Sequence, residues 1–90
     1  MPVIELIPDL SSCIETVARR EHTDATRTLL TTTPHDETLI EKAEILRIFL
    51  ETADFRKLRS DSEKLLLNGE KVKFVISLEH GQLRYEMQII

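Results

Sequence analysis

From Val72 to Ile89 the chain alternates apolar and polar residues with a period of two, twice over, about a single turn. Val72, Phe74, Ile76 and Leu78 fall on one side of the first run, and Leu83, Tyr85, Met87 and Ile89 on one side of the second. That period belongs to a strand with one covered face and one wet face. His80 and Gly81 between the runs suit a two-residue type I′ turn, which needs positive φ at both positions. Placing Glu79 across from Gln82 sets Leu78 opposite Leu83, Ile76 opposite Tyr85, Phe74 opposite Met87 and Val72 opposite Ile89. The other face receives Ser77 with Arg84, Val75 with Glu86 and Lys73 with Gln88, and stays mostly wet. A hairpin of this kind is marginal alone and needs a cover on one side. The fold class that follows is α+β: a small antiparallel or mixed sheet, the C-terminal hairpin plus an N-terminal strand, with three to four helices packed on one face.

The rest of the chain supplies those parts. Val3, Ile4, Leu6 and Ile7, closed by Pro8, read as a strand covered at least partly on both faces, and it is expected to join the hairpin. Asp9 or Ser12 can cap a helix running to about Arg20, with Leu10, Ile14 and Val17 on one face beside Cys13. The threonine-rich run from Thr23 to Thr33 is the least regular; Ala25, Leu29 and Leu30 favour a short helix there. Thr33 as N-cap, Pro34 as first helical residue, and Asp36 and Glu37 near the positive helix end open the next helix. Its apolar stripe is Leu39, Ala43, Leu46, Leu50 and Ala53. The next apolar set, Phe55, Leu58, Leu65 and Leu66, does not continue that stripe, so a break near Ala53 is required. Asn68 and Gly69 then stop the last helix in a left-handed cap.

The 90 residues provide for one domain, 1–90, with a single core. At 41% hydrophobic and 31% charged the composition excludes disordered and membrane-spanning classes. The lone Cys13 cannot form an intramolecular disulfide, and Met1 to Glu5 shows no basic and apolar leader pattern; a cytoplasmic location is the expectation.

No chemistry announces itself. His22, His35 and His80 are scattered and lack the close spacing of zinc ligands, so no metal is expected. Gly69 and Gly81 are isolated and each serves a turn, which leaves no phosphate-cradling loop and no cofactor. Cys13, on the expected apolar stripe, reads as a small buried hydrophobe, and paired carboxylates such as Glu41 and Glu44 as solvating charge. No catalytic residues are expected, and the chain reads as a non-enzyme.

Association is the leading expectation. Ile48 falls opposite the stripe of the 34–53 helix, between Glu41 and Glu44, and Ile45 sits well off its centre. Either that helix is packed on two sides or it meets another subunit, which places the interface at Ile45, Ile48 and Phe49 and makes a protein partner or homodimer the expected partner. Sheet edges offer a second route to a dimer. The alternative is an RNA- or ribosome-associated module using Arg56, Lys57, Arg59, Lys73 and Arg84, although the net charge of −4 opposes nucleic acid. The stretch Lys64 to Phe74, with Leu65-Leu66-Leu67-Asn68-Gly69 leading into Lys71-Val72-Lys73, resembles the helix-Gly-strand passage in the C-terminal domain of bacterial translation initiation factor three. That family's Gly-Arg-Glu turn is replaced here by Glu79-His80-Gly81-Gln82 and the order of elements differs, so the family is not assigned.

Overall fold

A computed structural model describes residues 3–32 and 34–90. The elements run β1 (Val3–Leu6), α1 (Ile14–Thr31), α2 (Glu37–Thr52), α3 (Phe55–Leu67), β2 (Val72–Glu79) and β3 (Gln82–Ile89). This is an α+β domain with three helices and a three-stranded antiparallel sheet in the order β1-β2-β3. The hairpin register is the one its alternation requires, from Val72 opposite Ile89 to Glu79 opposite Gln82. Positive φ at His80 (50°) and Gly81 (77°) gives the left-handed pair of a type I′ turn. β1 docks on the far side of β2, Ile4 against Ile76 and Leu6 against Phe74, so β2 is central. Val3 and Ile7 are exposed, which corrects the expectation of a strand covered on both faces; the helices pack on the face of Ile4, Leu6, Phe74 and Ile76, and the other sheet face is open.

α1 begins later and runs much further than the sequence suggests. Asp9 does not cap it: its carboxylate accepts from the N–H groups of Ser11 and Ser12 at 2.9 and 2.8 Å, closing a loop turn. Leu10 is therefore exposed ahead of the helix, and Cys13 becomes the N-cap residue. The threonines do not end the helix at Arg20. Thr26, Thr28 and Thr31 each donate to the carbonyl four residues back, a way for Thr to satisfy its hydroxyl inside a helix. Packing decides the matter: α1 lies along α2, Ala18 and Ala25 are buried, and Glu21 meets Lys42 of α2 at 3.0 Å. Tertiary contact outweighs the weak propensity penalty of β-branched residues.

α2 is capped by Asp36, whose carboxylate accepts from Leu39 N–H at 3.2 Å. Pro34 and His35 precede it in a turn, so the helix starts three residues after the expected Pro34, and the Thr33 cap lies outside the described residues. The break near Ala53 is present: α2 stops at Thr52 and Asp54 caps α3 through Lys57 N–H. α3 ends at Asn68 and Gly69, with Glu70 N–H donating to Leu65 carbonyl and Gly69 N–H to Leu66 carbonyl. Those two bonds with φ of 85° at Gly69 make a Schellman cap.

The core gathers Ile4 and Leu6 of β1, Phe74 and Ile76 of β2, Ile14 and Ala18 of α1, and Ile45, Leu46 and Phe49 of α2. Phe55 and Leu58 of α3 close it from one side. α2 is thus packed on two sides, with α1 alongside and the β2-β3 hairpin beneath, and its buried face includes Ile45 and Phe49 as well as Leu46.

Candidate association edge

Of the three residues expected to form an interface, two are in the core. Ile45 is 2% exposed and Phe49 fully buried, with the Phe49 ring edge-on to Phe55 at 5.1 Å and to Tyr85 at 5.2 Å. Neither can meet another subunit without opening the domain, because α2 is the helix packed on two sides. Ile48 is half-buried on α2 and exposes little for a partner. The apolar surface left over lies mostly elsewhere, and part of it follows β3.

β3 is an edge strand of eight residues paired along its whole length to β2, with no proline and no bulge. Ile90 N–H donates to Lys71 carbonyl at 2.8 Å. Antiparallel bonding alternates, so Gln82, Arg84, Glu86 and Gln88 also turn their backbone groups toward β2. Leu83, Tyr85, Met87 and Ile89 then direct their N–H and C=O groups away from the sheet, a free ladder four residues long. The side chains of these same four residues point to the helix side, where α2 covers them incompletely. Leu83 and Met87 pack partly against the core, whereas Tyr85 is 37% and Ile89 59% exposed. An unpaired run of this kind beside exposed apolar side chains is a ready template for another strand. β1, the opposite edge, offers far less: it has four residues and Pro8 soon ends it.

The basic residues do not assemble into one surface. Arg56, Lys57 and Arg59 lie on α3 in the helix layer, while Lys73 and Arg84 lie on the open face of the sheet. Arg59 is held by Glu63 at 2.9 Å, Lys73 reaches Glu5 at 3.4 Å and Arg84 reaches Glu79 at 3.3 Å. A phosphate contacting all five would have to span two separate faces and compete with carboxylates at three of them.

Cys13 is half-buried and stands at the start of α1, which corrects its reading as a hydrophobe on the apolar stripe. Its Sγ lies 3.3 Å from Thr16 Oγ1, and this contact, then the N–H of Thr16, holds the thiol pKa below its usual value. His80 is a turn residue, and among the described residues no three His, Cys, Asp or Glu side chains gather as metal ligands. Among the same residues no helix is long and apolar enough to cross a membrane.

Sequence reasoning reached the sheet edges but not which strand would be the free one. The signal was present: Val72 to Leu78 carries an extra valine on its wet face, Val75, as suits a central strand, whereas the matching positions of β3 are Arg84, Glu86 and Gln88.

Fold and edge together define a small α+β domain whose sheet has one short margin, β1, and one long margin, β3. A protein-family model matches residues 3–87, and the chain belongs to that uncharacterised family. No curated protein and no solved structure matches it.

Proposed function

We propose that this protein is a non-catalytic association domain that joins a second copy of itself through the β3 edge. The observation that carries the reading is the free ladder of Leu83, Tyr85, Met87 and Ile89, with Tyr85 and Ile89 exposed beside it. Strand addition would satisfy those backbone groups and cover the two side chains in one step. The interface thereby moves from α2, where Ile45 and Phe49 are committed to the core, to the strand beneath it. A cytoplasmic location fits a chain whose single cysteine has no partner.

The alternation of amides gives a test that needs no mutation. Light scattering coupled to size exclusion over a concentration series establishes the mass, and amide hydrogen exchange is read at both ends of that series. In the dimer the N–H groups of Leu83, Tyr85, Met87 and Ile89 become protected as concentration rises, while those of Arg84, Glu86 and Gln88 are protected throughout. A monomeric mass at every concentration overturns the proposal, and so does a dimer in which the odd-numbered amides stay unprotected.

A further inference from the structure

We infer that the two copies meet in one particular register, antiparallel and centred on Tyr85. This rests on the β3 edge being the self-association site and specifies how it reads its partner. A two-fold axis through the seam pairs each residue with one on the partner such that the numbers average to the central residue, and helices of both copies stay on the same side of a continuous six-stranded sheet. The charges of β3 select among the centres. With Arg84 at the centre, two arginines oppose each other, and with Glu86 at the centre, two glutamates do. Centring on Leu83 sets Arg84 against a glutamine and Glu86 against His80 of the turn; centring on Met87 sets Glu86 against a glutamine and Arg84 against Ile90. Only the Tyr85 centre places Arg84 across from Glu86, and symmetry makes that pair twice.

The remaining positions agree. Gln82 faces Gln88, Leu83 faces Met87, the two Tyr85 side chains face each other beneath the α2 helices, and Ile89 faces Gly81, which has no side chain to obstruct it. Because Arg84 and Glu86 bond their own β2, they form a non-hydrogen-bonded pair across the seam, the type with Cα atoms only about 4.5 Å apart and side chains closest. Arg84 would then lie between Glu79 of its own chain, already 3.3 Å away, and Glu86 of the second copy. Glu86 exchanges its present partner Gln88, whose amide donates to it at 2.7 Å, for a full positive charge.

The test is a charge swap read by sedimentation or light scattering, with circular dichroism confirming that each variant folds. Arg84→Glu and Glu86→Arg each set two like-charged pairs across the seam and weaken the homodimer by roughly tenfold or more. The doubly swapped protein restores both pairs and the dimer with them. Mixing the two single variants yields a mixed dimer, since one copy then offers two acids and the other two arginines. Single variants that dimerise like the unmodified protein overturn the register while leaving self-association standing. Folded single variants that lose the dimer, together with a double variant that does not regain it, also overturn the register. An unmodified protein that never dimerises removes the register and the edge proposal together.

Discussion

A thiol placed ahead of the first turn of a helix faces backbone N–H groups that favour its ionised form. Cys13 occupies that position at α1 and has Thr16 as its nearest partner, with Arg59 of α3 adding a weaker pull. All of these lower the thiol pKa, so the thiolate persists to lower pH than in an unperturbed cysteine. The midpoint of the alkylation rate against pH therefore lies below that of the same protein unfolded in denaturant. Thr16→Val removes the largest contributor and shifts the folded midpoint upward, toward the unfolded value; equal midpoints for both proteins would refute the role of Thr16. The midpoint is the proper readout because intrinsic nucleophilicity falls as thiol pKa falls, which partly offsets any change in rate. The side chain's environment follows from where Asp9 spends its carboxylate, on Ser11 and Ser12, which delays the helix until Ile14.

Elements were legible in the sequence where one period or one cap governs them. The β2-β3 register, the type I′ turn, the break at Ala53 and the Asn68-Gly69 stop each depend on local stereochemistry and appear as read. What was not legible depended on neighbours distant in sequence. Thr23 to Thr31 continues α1 because Ala25 is buried along α2, and Ile45 is internal because α1 and the hairpin flank α2 on two sides. Periodicity along one helix cannot say which neighbour it has. The candidate site was legible only as a class, since an edge strand is foreseeable from a hairpin, but its identity as β3 depends on where β1 docks. The Schellman cap offers a clean test of the local kind. A Cβ at Gly69 would meet nothing within 4 Å, so its replacement costs backbone strain at φ of 85° and no clash. Gly69→Ala is expected to lose about 1 kcal/mol in urea unfolding, and Gly69→Asn less, because Asn tolerates the left-handed region. A neutral alanine would show that the cap relaxes in solution.

At the scale of the molecule the single copy is slightly extended for its length. A Cα radius of gyration of 13.4 Å exceeds the roughly 12 Å typical of a compact chain this long. A domain of this size buries only about two-thirds of its unfolded surface, and β3 leaves part of its inner face uncovered. The association proposed at the β3 edge would couple stability to concentration, because a second copy that binds only the folded state shifts the folding equilibrium. Raising the concentration from well below the dimer Kd to about a hundredfold above it, with the gain shared between two chains, lifts Tm by roughly 5–10 °C. Arg84→Glu and Glu86→Arg act at the seam and leave the core alone, so at high dilution their Tm stays close to that of the unmodified protein. As concentration rises the curves separate, the single variants gaining less at each concentration while the double swap climbs with the original. Scanning calorimetry at several concentrations checks this, and a Tm independent of concentration in the unmodified protein would mean that β3 closes no dimer.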